Sequence, residues 1–248
     1  MHSGIEVVLR AEQIGSVFGF PITNSLLMTW VVMAILIGFS YFFGRRLTLV
    51  PGKFQAGVEW AFTAVIDYMT ETLESRALAL RFFPLIATIF LFIFIANELA
   101  FVPGVGSIGV FHGTEFAPLL RAPSADLNFT LALAFISFFT IEITGIATLG
   151  FLKYGAKFVN LRSPIGFVVG LIEMVSNVGR LISFSFRLFG NVFAGEVMIL
   201  VAMYFLPALL PVPLIAFEVF VGLIQAVVFA MLTLFFIKLA IMEPEEGH

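Results

Sequence analysis

The sequence has no cysteine, only 12% charged residues, three histidines and two tryptophans. Without thiols, the chain can hold no disulfide, thiolate metal site or iron–sulfur cluster of its own. Its charged fraction is about half of the ~25% usual in soluble domains. Together with 60% hydrophobic residues and a mean hydropathy of +1.09, this excludes an ordinary water-soluble core and shell and makes lipid the expected solvent. A net charge of −3 is too small to suggest nucleic acid as a partner. There is no nucleotide-binding glycine loop and no metal-ligand spacing, so no cofactor is expected and any nucleotide chemistry would belong to partners. Met1 to Asn24 carries Glu6 and Glu12 and lacks a basic start running into an apolar core, so no cleavable signal is expected. With no repeat or linker in view, residues 1–248 are expected to form one membrane domain.

Five apolar segments are present: Leu26–Phe43, Phe82–Phe101, Leu127–Leu152, Pro164–Ala208 and Leu214–Met242. Each approaches or exceeds the ~20 residues of a membrane-crossing helix. The expected architecture is an all-α polytopic membrane protein of five transmembrane helices, with residues 1–25 as an external N-terminal segment. Residues 54–75 repeat Val58, Phe62, Ile66, Met69 and Leu73 at helical spacing but interleave Glu59, Asp67, Glu71 and Glu74. They are expected to form an interfacial or re-entrant helix. In this layout Arg45, Arg46, Lys53, Arg76, Arg81, Lys153, Lys157, Arg162 and Lys238 fall on one side, against only Arg10 and Arg121 on the other. Basic residues favour the cytoplasmic side, which places the N-terminus outside and the tail Glu243–His248 inside.

As a helix, Pro164–Ala208 would extend about 67 Å, roughly twice the ~30 Å of a hydrocarbon core, so it is expected to tilt, bend or protrude. Near its middle stands Arg187, a cation that keeps its proton and persists in lipid only where it is used or paired. At about 100° per residue, Ser176, Gly179, Arg180, Ser183, Arg187, Gly190, Asn191 and Ala194 form one stripe. Small residues there would let another backbone come close to a fixed charge. Glu196 lies about 13 Å further along and half a turn around, beyond salt-bridge reach of Arg187.

Pro207, Pro211 and Pro213 mark a turn, and a hairpin folded there pairs residues whose numbers sum to about 414. Glu196 then faces Glu218, and Arg187 lies at the depth of Gln225 or a turn away. Two layers are expected: an outer carboxylate pair sharing a proton, and a middle layer in which Asn191 and Gln225 accompany Arg187. Plainer readings stay open, with Arg187 in a structural pair with an internal carboxylate, Glu196 hydrogen-bonded to a serine or threonine, and the amides bonding between helices. Toward the inner end, Glu173 either lines an exit path or pairs with Arg180.

The segment SFSFRLFGNVFAGEV, Ser183–Val197, closely resembles the signature of subunit a of F-type ATP synthases. The resemblance covers most of the chain. NELAFVPG, Asn97–Gly104, is similar to the family's Asn-Leu-x-x-x-x-Pro-Gly segment, Pro123–Ala134 to its loop and helix start, and Glu218–Ile237 to its final helix. This implies a stationary proton-channel subunit of a rotary motor, not catalytic itself, in a bacterial inner (plasma) membrane. The implied partners are a c-subunit ring, peripheral-stalk b-type subunits and the remaining ATP synthase subunits. By position it implies Arg187 as the essential arginine separating two half-channels, Asn191 and Gln225 as its polar neighbours, and Glu196 as the outer carboxylate. Many bacterial members carry histidine seven residues before the glutamine, where this chain has Glu218. Two other classes remain in view. One is an autonomous proton-coupled secondary transporter, for which no internal repeat speaks; the second is a structural membrane subunit of a respiratory complex, which needs no matched charged layers.

Overall fold

A computed structural model describes residues 11–102, 105, 108–112, 115–158, 164–207 and 209–242. Strands β1 (Gln13–Val17) and β2 (Phe20–Thr23) pair as an antiparallel hairpin where hydropathy suggests only an external segment. Its two-residue turn has positive φ at both Phe18 (51°) and Gly19 (85°), the geometry that matches the right-handed twist of the ribbon. Helix α1 (Asn24–Arg45) follows at once, with the Thr23 hydroxyl accepting from the Leu26 amide as its cap. Then come α2 (Lys53–Leu73), α3 (Arg76–Ala100), a second hairpin of β3 (Gly109–His112) and β4 (Glu115–Pro118), and a 3-10 turn at Pro123–Ala125. The chain continues through α4 (Leu127–Leu149), α5 (Phe151–Phe158), α6 (Pro164–Phe205) and α7 (Pro211–Ile241).

Helices α1, α3, α4, α6 and α7 are long and apolar enough to cross a membrane. Two small hairpins aside, this is an all-α polytopic membrane protein. Helix α3 starts at Arg76, well before the apolar run at Phe82, because the Ser75 hydroxyl caps the Leu78 amide ahead of good helix formers. Helix α6 is unbroken for 42 residues, which corresponds to about 63 Å. Helix α2 is continuous over 21 residues, with Met69 and Leu73 buried toward α3 and Phe54 and Trp60 exposed.

The core lies along α7, which packs against α3, α4 and α6 and buries Phe229, Ala230, Thr233, Leu234 and Ile237. Phe184 of α6 stacks on Phe229 at 4.9 Å between centroids and meets Phe236 edge-on at 5.6 Å. In lipid such contacts stabilise through dispersion and shape, because hydrocarbon is as apolar as the side chains themselves. For the same reason the exposed Ile37, Ile143 and Phe220 suit a chain that faces acyl tails.

Polar contacts tie the helix ends into two levels. Ser25 Oγ donates to Asp126 Oδ2 at 2.7 Å, and Ser124 Oγ donates to Asn97 Oδ1 at 2.7 Å, joining the start of α1, the end of α3 and the start of α4. At the opposite level Lys238 Nζ pairs with Glu74 Oε1 at 2.9 Å, and Lys157 Nζ donates to the Met242 carbonyl at 3.1 Å. The spans therefore alternate in direction, and α2 ends at the Lys238 level, where Glu74 pairs with Lys238 and Lys157 also lies. Glu6, Arg10, Arg162 and Glu243–His248 lie outside the described residues.

Candidate functional site

Helices α6 and α7 bring Gly195 against Glu218, so that a Cβ at position 195 would overlap the Glu218 carboxyl. Glycine is what admits this carboxylate between the helices. Glu218 is 5% exposed. It therefore sits at the depth of Gly195 and Glu196, yet no hydrogen bond joins the Glu196 and Glu218 carboxylates. Glu196 Oε2 accepts instead from Arg121 Nη2 at 3.0 Å, with the two side chains 26% and 14% exposed respectively. Arg121 lies on the chain leading out of β4. The residues after it hold it there, since Ala122 and Ala125 pack on Val192 of α6, and Asp126 caps α4 by accepting from the Asn128 amide at 3.0 Å. Sequence reasoning missed this partner, because a lone basic residue in a loop indicates a side of the membrane and not a contact.

In the middle layer Arg187 lies on the exposed face of α6, where Nη2 donates to Ser183 Oγ at 3.3 Å. No carboxylate among the described residues pairs with it. Ser176, Gly179, Ser183, Gly190 and Ala194 are exposed too, so the small-residue stripe faces away from the chain's own bundle. Asn191 is half-buried and Gln225 is buried, and neither hydrogen-bonds to Arg187. The expected layer is therefore split, with arginine outward and glutamine inward. Helix α3 adds groups that the sequence did not assign to the site. Asn97 Nδ2 donates to the Gly222 carbonyl of α7 at 3.3 Å while its Oδ1 accepts from Ser124, and Glu98 stands beside it. The only signal was the motif in which both occur.

Toward the Lys238 level Glu173 is half-buried and makes no ion pair with Arg180, whose guanidinium lies over the Phe236 ring at 4.2 Å from its centroid. The hydrogen-bonded carboxylate here is Glu142 of α4, which accepts from Tyr154 Oη at 3.0 Å and from Asn177 Nδ2 at 3.1 Å. Burial, reinforced by the charge and hydrogen bond of Glu142, raises the Tyr154 phenol and keeps it a donor. Burial lowers the nearby Lys157 ammonium, against the charges of Glu173 and Glu142. Among the described residues, no group of three or more His, Asp or Glu gathers to hold a metal.

The sequence profile of the family described as ATP synthase A chain matches residues 26–238. A relative from Propionigenium modestum, named ATP synthase subunit a, sodium ion specific, is 34% identical over 94% of this chain and 79% of its own length. Proteins named ATP synthase subunit a from Campylobacter hominis and Gloeobacter violaceus are 32% and 33% identical, over 94% and 91% of this chain and 96% and 86% of their own lengths.

Proposed function

Because this chain belongs to the ATP synthase A chain family, we propose that it is the stationary proton-channel subunit of a rotary ATP synthase. Two offset half-channels load and unload carboxylates on a c-subunit ring, and Arg187 separates them. Family membership and the five spans make it an integral membrane protein of ion transport and ATP synthesis, acting in the membrane sector with the other ATP synthase subunits. The basic level of the fold is the cytoplasmic one, in a bacterial inner membrane, with the N-terminus outside and the C-terminus inside. Peripheral-stalk b-type subunits hold the chain still against the ring.

The observation that carries this reading is Arg187 itself, a permanent cation on an exposed face of small residues, partnered among the described residues by a serine hydroxyl alone. Such a charge is costly in hydrocarbon unless a second protein brings both an anion and a closely packed backbone. A ring carboxylate answers both needs. The arginine attracts the arriving carboxylate, favours its ionised form and repels a proton trying to cross directly. Lysine, which can lose its proton when buried, is a poorer barrier. Protons enter past Glu196 and Glu218, reach the level of Asn191 and Gln225, ride the ring, and leave beside Glu173.

The absence of native cysteine makes a sidedness test clean. Single cysteines near Glu196 and Glu218 should react with an impermeant thiol reagent from the outside, and those near Glu173 from the inside. Labelling of both groups from one side contradicts the two half-channels. The sodium-specific name of one relative adds a second arm: pumping that persists without sodium supports the proton, and pumping that requires sodium assigns the coupling to that ion.

A further inference from the structure

We propose that Glu98 is a third proton-carrying carboxylate of the outer half-channel, relaying between Glu218 and the Gln225–Arg187 level; this rests on the function proposed above. Glu218, Gly222 and Gln225 lie on one buried face of α7 and span about 10 Å along the helix. Proton transfer proceeds in hydrogen-bond steps of about 3 Å, so this distance is crossed through waters or through a titratable group between the two ends. Helix α3 supplies one at the level of Gly222. The Glu98 Oε1 atom stands 3.3 Å from where a Cβ of residue 222 would lie, so it is the lack of a side chain at Gly222 that lets this carboxyl approach α7.

A second observation points to a guest at this place. Glu98 Oε1 and Gln225 Nε2, an acceptor and a donor, are both buried with no hydrogen-bond partner among the described residues, and Gln225 as a whole is only 7% exposed. Native chains satisfy such atoms with water or a transported species. Asn97 beside them differs, since its amide is engaged at both ends, by Gly222 and Ser124, and fixes the junction of α3 with α7. That leaves Glu98 as the group free to exchange a proton. Glu218 makes no hydrogen bond among the described residues and stands one turn outward. A proton held by the Glu218 carboxyl passes through water to the Glu98 carboxylate. Glu98 then releases it through water on the Gln225 amide to the ring carboxylate at Arg187, which becomes neutral as Glu98 regains its charge. The family segment quoted above has leucine where this chain has Glu98, so the carrier lies outside the common signature.

The test is ATP-driven proton pumping by the assembled complex in inverted membrane vesicles, normalised to the subunit content. Glu98→Gln keeps the shape but cannot exchange a proton, and pumping is expected to fall at least about tenfold. Glu98→Asp should recover most of the rate, as a purely structural carboxamide-like role would not. Pumping at the unaltered rate in Glu98→Gln, or equal loss in Gln and Asp, overturns the proposal. Should Glu98→Gln not assemble, the unaltered complex decides. A hydrophobic carbodiimide, which modifies protonated buried carboxyls, is expected to label Glu98 by mass spectrometry of the subunit, and an unlabelled Glu98 counts against it. Arg187→Ala made alongside separates the two claims. If it is inactive while Glu98→Gln is normal, only this inference fails; if it pumps, the proposed function fails as well.

Discussion

At the scale of single residues, the Glu196 and Glu218 carboxylates are held apart by different neighbours. Arg121 neutralises Glu196, whereas Gly195 makes room for Glu218. Removing the guanidinium in Arg121→Gln leaves a partly buried carboxylate without its cation. Because both side chains keep some exposure, a double-mutant cycle with Glu196→Gln should return a coupling of about 1 kcal/mol in thermal stability, and not several. A coupling indistinguishable from zero would remove the ion pair from the account. Gly195→Ala should push the Glu218 carboxyl aside at a cost of about 1–3 kcal/mol from overpacking, and slow pumping in a complex that still assembles. An unaltered rate would show that the position of Glu218 does not matter. The glycine could not have been singled out from sequence. Its role depends on a carboxylate that arrives from another helix, although the expected pairing of residues summing to about 414 comes close to the Gly195–Glu218 contact.

At the scale of elements, helices were legible wherever length and hydropathy agreed, as in α1, α4, α6 and α7. They were less legible where a polar first turn hides behind its cap, as in α3 from Arg76 to Arg81. The β1–β2 and β3–β4 hairpins escaped notice because their strands are short and the apolar runs around them dominate any window. The exposed stripe of α6 carries its own prediction. A side chain at Gly190 would meet no atom within 4 Å in this chain, so Gly190→Leu should leave the subunit folded while blocking a closely packed partner. Co-purification of the c ring is expected to fall by about tenfold or more, equivalent to about 1.4 kcal/mol. Undiminished recovery of the ring would mean that the stripe is not the docking face.

At the scale of the whole molecule, the polar layers are assembled from segments far apart in sequence, and this is why only half of the site could be read in advance. Arg187, Glu196, Glu218 and Gln225 lie on one hairpin, whose geometry follows from helix periodicity and a proline-rich turn. Arg121, Asn97, Glu98 and Glu142 join them from α3, α4 and a loop, and their register against the hairpin is set by packing that no single-sequence pattern encodes. The Lys238 end illustrates the difference, since the hydrogen-bonded carboxylate there is Glu142, and Glu173 makes no ion pair or hydrogen bond among the described residues. Everything in the proposed mechanism nonetheless turns on one fixed charge. The most direct measurement is proton-driven ATP synthesis and ATP-driven pumping by complexes carrying Arg187→Ala or Arg187→Lys, with assembly checked by subunit content. The account predicts that both activities vanish in both variants while the complex still forms, and synthesis at the normal rate in either assembled variant would contradict it.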